Sequence, residues 1–179
     1  MSSLSPLFLL PLLAAQQPSA TLIRAGRLVD VRNGRVATNQ EILVEGERIR
    51  QVGPSVPHPA NARIIDLSRA TVLPGLIDNH THILLQGDIT SADYDEQLLK
   101  ESIPYRAIRA TVSVRTGLMN GFTTMRDLET EGAMYADVDV KTAIARGIIP
   151  GPRLFVATRS FSATGTYPLL GYSWDTITA

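Results

Sequence analysis

The chain contains no cysteine, which removes disulfides, thiolate metal ligands, a cysteine nucleophile and a lipid-anchored N-terminal cysteine together. Any metal it holds must be bound through nitrogen and oxygen. Charge of one sign is lacking too: 17 Lys and Arg face 17 Asp and Glu, for a formal net charge of +0 at pH 7. A nucleic-acid partner, which would favour a basic surface, is therefore not expected. Lysine is scarce, with Lys100 and Lys141 alone, both inside helical patterns. No long apolar run is present either. The stretch Leu4 to Ala15 (LSPLFLLPLLAA) is interrupted by Pro6 and Pro11 and is too short to span a bilayer, so no stable membrane anchor is expected. Its small-residue end and the polar Gln16-Gln17-Pro18-Ser19 that follows resemble a secretory signal peptide, with cleavage after Ala15. The first basic residue is Arg24, so the usual positive n-region is missing, and an apolar N-terminal tail is the alternative. Residues 1–19 are thus read as leader and linker, and the protein as exported to the periplasm or the cell exterior.

What is present centres on histidine. In Leu73-Pro74-Gly75-Leu76-Ile77-Asp78-Asn79-His80-Thr81-His82, Pro-Gly punctuates the chain and an apolar pair opens a strand that ends at the two histidines. Alternate residues of a strand share a face, so His80 and His82 point the same way. Neutral imidazole is a good ligand for zinc and similar divalent ions, and a catalytic ion keeps an open position for activating water. On its own such a pair also suits a polar sheet edge. Asp78 falls on the same face. It could hold an imidazole in one tautomer from behind, or cap the local backbone. The third histidine, His58, is wedged between Pro57 and Pro59 and reads as a solvated loop residue.

Two textures divide the chain. From Thr21 to Leu73, short β-rich runs alternate with Asn33-Gly34 and Glu45-Gly46, the pattern of antiparallel hairpins in a small all-β unit. After His82 the spacing predicts helix over Tyr94 to Lys100 and, more strongly, over Pro104 to Asn120. Ser102 is its cap, Gly121 its stop, and Ala107, Ile108, Thr111, Val112, Leu118 and Met119 its core stripe. Phe122 to Arg126 reads as a strand, Val138 to Arg146 as a helix closed by Gly147, and Arg153 to Ala157 as a third strand. Strand, helix, strand, helix, strand predicts consecutive parallel βαβ units. In such sheets ligands gather at the carboxyl ends of the strands, where His80 and His82 lie. Arg126-Asp127, also at a strand end, reads as an internal ion pair or a helix cap rather than as pocket lining.

These residues together, an N-terminal β unit followed by LPGLIDNHTH, GFTTMRDL and IPGPRLFVATRSFSATGTYP, resemble the metal-dependent amidohydrolase superfamily, and more narrowly its imidazolonepropionase and prolidase-like branch. The resemblance runs from about Leu22 to Asp175. It implies a (β/α)8 barrel with a small β-sandwich beside it, one or two divalent metals at the barrel mouth, zinc first among them, and hydrolysis of amide-like carbon–nitrogen bonds. The family's first-strand histidines fall on His80 and His82. Its other ligands, a lysine on the fourth strand, histidines on the fifth and sixth and an aspartate on the eighth, have no position here.

A whole barrel takes about 250 residues, whereas only 99 positions follow His80 in this chain of 179. The fold class expected is therefore α/β: about the first three βα units of a TIM-like barrel over 74–179, preceded by part of a small β-sandwich over 20–73, the whole an N-terminal fragment inactive by itself. In the segment after the third strand, Thr164 and Tyr167 are candidates for substrate contact. Some relatives carry Gly-Gly-His where this chain has Gly165-Thr166-Tyr167, so the substrate is left at the level of small amides: dipeptides or cyclic amides, with a phosphotriester or lactone chemically allowed. Partners beyond a small molecule are not indicated, and an oligomer is compatible with the sequence. The competing readings are a noncatalytic truncated product, a module binding through its open β edge, and a metal-binding protein without turnover.

Overall fold

The computed structural model describes residues 20–85 and 91–161. The expected leader at 1–19 and the candidates Thr164 and Tyr167 lie outside the described residues. The chain divides into two compact units, Met1–Pro74 and Gly75–Ala179.

In the first unit, β1 (Ala20–Asp30), β2 (Arg35–Glu45), β3 (Arg48–Gly53) and β4 (Arg63–Val72) form one sheet in the order β3-β2-β1-β4. β1 and β2 pair antiparallel, as do β2 and β3, whereas β4 runs parallel to β1. The two hairpins fall at the glycine dipeptides. Gly34 and Gly46 adopt φ +71° and +57°, values that cost a residue without Cβ nothing. Asp30 fixes the first turn, its carboxylate accepting from the Arg32 backbone N–H at 2.9 Å and the Asn33 amide at 2.8 Å. The core is small: Leu22, Leu43 and Val56. Val56 reaches it from a loop held by its N–H, which donates to Glu41 Oε2 at 2.9 Å. Among the described residues this unit is one sheet, and the second layer of a sandwich is not among them.

In the second unit, β5 (Leu76–Thr81), β6 (Phe122–Asp127) and β7 (Arg153–Val156) make a three-stranded parallel sheet in chain order, accompanied by α1 (Ser91–Leu99), α2 (Ile103–Met119) and α3 (Ala136–Ala145). Helices on one face explain the alternation along the strands: Met125, Asp127 and Leu154 are buried, whereas Arg126 and Phe155 are exposed. The core joins Ile83 and Leu84 to Ala110 and Val114 of α2, Met125, Val140 of α3 and Leu154. No described helix is long and apolar enough to cross a membrane.

Helix α2 begins and ends where the sequence places its signals. Ser102 Oγ accepts from the Tyr105 N–H at 3.4 Å, Pro104 sits in the first turn, and Gly121 leaves the helix at φ +94°. Its buried face, however, is not the expected stripe. The residues turned inward are Arg106, Ala110 and Val114, with Ile103 and Ala107 beside them, while Ile108, Val112 and Met119 are 69%, 59% and 70% exposed. The period is right and the phase is off by about one residue, because the inward row is headed by Arg106, whose side chain is buried by hydrogen bonds to loop carbonyls. Gly117 continues the inward row, since a Cβ there would stand 2.1 Å from Met125 Cε.

Candidate functional site

The site begins with the strand end at His80 and His82. Extended backbone puts both rings on one face, with Nε2 of His80 3.3 Å from Nε2 of His82, ring centroids 5.3 Å apart and planes inclined by 63°. The other ring nitrogen of His82 faces two acceptors: Nδ1 lies 3.4 Å from the Glu129 carbonyl and 3.5 Å from Glu131 Oε1. An acceptor on that side favours the tautomer with hydrogen on Nδ1, which leaves the Nε2 lone pair directed at His80. Two nitrogens about 2.0–2.1 Å from one tetrahedral zinc lie about 3.3–3.4 Å apart. The observed separation matches, so the pair fits as half of a metal's donor set. Among the described residues no group of three His, Asp or Glu side chains is gathered to complete it.

Asp78 is used on the backbone: its Oδ1 accepts from the His80 N–H at 3.0 Å. That is the cap of the two roles open to it, and the groups that face the His82 ring are the Glu129 carbonyl and the Glu131 carboxylate. These come from the loop after β6, the strand paired directly with the histidine strand. His58 is exposed in its loop, with Nδ1 2.8 Å from the Val56 carbonyl.

The loops that carry these groups are held by Arg106, which the sequence alone does not single out. Its side chain is buried, and Nε donates to the Leu84 carbonyl at 3.1 Å, Nη1 to that of Glu131 at 2.8 Å and Nη2 to that of Thr130 at 3.0 Å. One guanidinium thus ties the turn after His82 to the turn after β6. Burial draws its pKa below the ordinary arginine value, and a guanidinium remains charged nonetheless. Two buried carboxylates complete the scaffold. Asp137, at the start of α3, accepts from the Val138 N–H and from the Thr158 N–H, both at 2.8 Å. Asp127 neither pairs with Arg126 nor caps the next helix. Its Oδ1 accepts from the Ile83 N–H at 2.7 Å, and Oδ2 makes no hydrogen bond among the described residues. Burial is the main cause that pushes its pKa up to about 7, opposed by the Ile83 N–H and reinforced by Asp137, Glu131 and Glu129.

Backbone strain collects at the same end of the sheet. Glu131, Met134 and Thr158 adopt φ of +49°, +55° and +64°, conformations that non-glycine residues take at a cost and that concentrate at functional sites. Thr158 is held by Asp137 and by its carbonyl, which accepts from the Thr130 N–H at 3.0 Å. Ser160 Oγ then bonds Glu129 Oε1 at 2.8 Å, tying the loop after β7 to the loop after β6.

Residues 71–173 match the amidohydrolase family, and the chain belongs to that family. It is 35% identical over 83 residues to an imidazolonepropionase of Arthrobacter sp. (strain FB24), which covers 46% of this chain and 20% of the relative. Among solved structures it is similar to an amidohydrolase at TM-score 0.69 and 34% identity, covering 82% of this chain and 33% of that one. A prolidase complexed with N-methylphosphonate-L-proline is similar at TM-score 0.68 and 28% identity, covering 80% and 33%. The chain therefore spans about a fifth of the curated relatives' length and a third of these structures.

Proposed function

We propose that this chain supplies the first two metal ligands, His80 and His82, and the first three βα units of a (β/α)8 barrel, in a metal-dependent hydrolase of carbon–nitrogen bonds. The observation that carries the reading is the 3.3 Å Nε2 separation at the carboxyl end of a parallel sheet, where this architecture places its chemistry. A divalent ion held by His80 and His82, zinc first among the candidates and alone or as one of two, would supply Lewis acidity for a carbonyl and lower the pKa of water towards neutral pH. The chain's own part is to present two lone pairs from one strand, with the Glu129 carbonyl and the Glu131 carboxylate holding the His82 ring from behind. Asp78 shapes the strand end by capping the His80 N–H. Among the described residues β5 and β7 are the edges of this sheet, where the further strands of a closed barrel would pair, and the remaining ligands and the proton-transferring base would belong to those strands.

The substrate proposed is a small amide, a dipeptide or a cyclic amide, on the model of the imidazolonepropionase and prolidase relatives, with Thr164 and Tyr167 near it on the strength of their place after β7. A small second layer beside the β1–β4 sheet, and export directed by residues 1–19, are proposed on the sequence pattern alone. Because the described residues gather two imidazoles and no third ligand, these 179 residues alone are proposed to be inactive. The same observation favours, as second reading, a metal-binding module without turnover. The test is calorimetric titration of zinc into the purified chain, with His80→Ala and His82→Ala beside it, followed by hydrolysis assays on prolyl dipeptides and cyclic amides. Zinc binding that either substitution removes supports the site, and an undiminished titration in both variants would reject it. Turnover by the zinc-loaded chain would refute the claim of inactivity.

A further inference from the structure

The loop after β6 contains a feature that family membership does not explain: Glu131, a buried carboxylate at 5% exposure on a backbone at φ +49°. A charged side chain out of water and a non-glycine residue in the left-handed region are each unfavourable, and a loop free to relax would avoid both. Here both are imposed by the neighbours. Arg106 accounts for the backbone, its two terminal nitrogens donating to the carbonyls of Thr130 and Glu131 at 3.0 and 2.8 Å. The side chain is fixed from α1, where the Tyr94 hydroxyl donates to Glu131 Oε2 at 2.7 Å. The remaining oxygen, Oε1, is then set 3.5 Å from His82 Nδ1.

We infer that Glu131 is a positioning residue for His82. Resting on the metal reading above, the inference is that the carboxylate and the Glu129 carbonyl share the Nδ1 hydrogen, keep the imidazole in the tautomer whose Nε2 is a bare lone pair, and stop the ring from turning away from His80. The carbonyl alone, at 3.4 Å, is a long and weak acceptor. The carboxylate, with Oε1 at 3.5 Å, adds a second long acceptor on the same side that carries negative charge, and Arg106 and Tyr94 keep it from swinging to solvent. The strained loop is thereby given a use: φ near +49° turns the residue after Thr130 back towards the histidine strand.

The test reads the tautomer without any metal. Nitrogen-15 NMR of the side-chain imidazoles distinguishes a protonated from a bare ring nitrogen, and the wild-type protein is expected to show His82 with hydrogen on Nδ1. Glu131→Asn is the main variant, because asparagine tolerates the left-handed backbone while its shorter side chain withdraws the acceptor. Glu131→Gln keeps the reach and an acceptor oxygen and serves as rescue. The expected result is mixed His82 tautomers in Glu131→Asn, a wild-type pattern in Glu131→Gln, and zinc affinity lower by roughly 10–100-fold in the first variant only. His82 keeping the wild-type tautomer in Glu131→Asn, or a wild-type protein with hydrogen on Nε2, would overturn the inference. Wild-type protein that binds no zinc yet shows the tautomer shift on Glu131→Asn would overturn the metal reading and still support the orienting role.

Discussion

Replacing Arg106 with methionine removes three hydrogen bonds in one step and tests whether a single side chain secures the loops of the site. Each bond from a charged donor is worth about 1.5–3 kcal/mol, and the three carbonyls of Leu84, Thr130 and Glu131 would be left without that donor. Against this stands relief from burying a guanidinium, itself several kcal/mol. Methionine has similar length and adaptable rotamers, so cavity formation adds little. Three carbonyls left without a donor, at about 1–3 kcal/mol each less the relief of desolvation, bring the balance to a loss of about 3–5 kcal/mol. That is a large share of the 5–15 kcal/mol by which domains are usually stable. Urea unfolding followed by circular dichroism should show the midpoint falling by at least about 1 M, since the slope for small proteins is about 1–3 kcal/mol per molar. Hydrogen exchange should rise first at the amides of 83–85 and 128–131. Arg106→Lys should recover only a minor part, because a compact ammonium cannot span two loops as a planar fork does. A loss under about 1 kcal/mol for methionine, or full recovery by lysine, would refute the assignment of Arg106 as the clamp.

Asp127 gives a pH signature. With its pKa pushed up to about 7, the unfolded chain ionises this carboxyl from about pH 4 and the folded chain only near 7, so the group's contribution is fully present below about pH 4 and is lost as pH rises to 7. Asp127→Asn keeps an acceptor for the Ile83 N–H and cannot ionise. Relative to wild type it should gain on the order of 4 kcal/mol between pH 4 and 8 in urea titrations, and parallel stability curves would contradict the burial argument. Gly26→Ala should unfold the first unit early by about 1–3 kcal/mol or more, because its Cβ would meet the Ser68 carbonyl oxygen at 2.0 Å where the pairing of β1 with β4 shifts register. Gly53→Ala, whose Cβ would touch only Val56 at 4.0 Å, should stay within about 0.5 kcal/mol, and equal thermal shifts in the two variants would sink the close-approach explanation. Breaking the exposed Lys100–Glu96 pair, 2.7 Å apart, by Lys100→Ala should change stability by no more than about 0.5 kcal/mol in a thermal melt. A larger loss would show that the pair is not merely a solvated i,i+4 contact.

The parts of this molecule legible in the sequence are those governed by local rules. Glycines at turn positions, a serine and a proline at the head of α2, and apolar runs between them place α2, β5, β6 and β7 within a residue or so, whereas α1 begins three residues before the expected Tyr94. The order β5-β6-β7 follows from strand–helix–strand alternation. The His80 and His82 pair is legible because strand geometry alone sets two alternate side chains on one face. What stays hidden depends on long-range pairing. Arg106 sits at a position of the right period, but nothing in the neighbouring sequence offers three carbonyls, which come from residues 22 to 25 positions away. Asp127 looks like a partner for Arg126 or a helix cap, yet the N–H it accepts belongs to Ile83, 44 positions earlier. Glu131, in Glu129-Thr130-Glu131-Gly132, has the composition of an ordinary polar loop. Its one local hint, the glycine that follows, points to a turn without saying which way the carboxylate faces.

That division has a physical basis that bears on how the site works. A strand end can aim His80 and His82 but cannot by itself stop an imidazole from rotating about its χ2 bond, a broad and roughly two-fold torsion. The restraint has to come from a second element, and in a parallel sheet the nearest are the loops at the same end of the neighbouring strands. Those loops are polar, so left alone they would prefer water to one another. Burying Asp127, Asp137, Glu131 and Arg106 between them makes each backbone turn depend on a specific side-chain partner: Ile83 on Asp127, Thr158 on Asp137, Leu84 and Thr130 on Arg106. Such groups are costly to bury and more costly to leave unpaired, which favours one loop arrangement strongly over the alternatives. The consequence is directional. Substitutions that preserve the fold yet unpair one of these groups should loosen the His82 ring before they unfold the sheet, so zinc affinity should fall at denaturant concentrations where β5, β6 and β7 remain paired. If zinc binding and the β-sheet signal instead disappear together in every such variant, the loops and the sheet are one cooperative unit and the restraint on His82 is global rather than local.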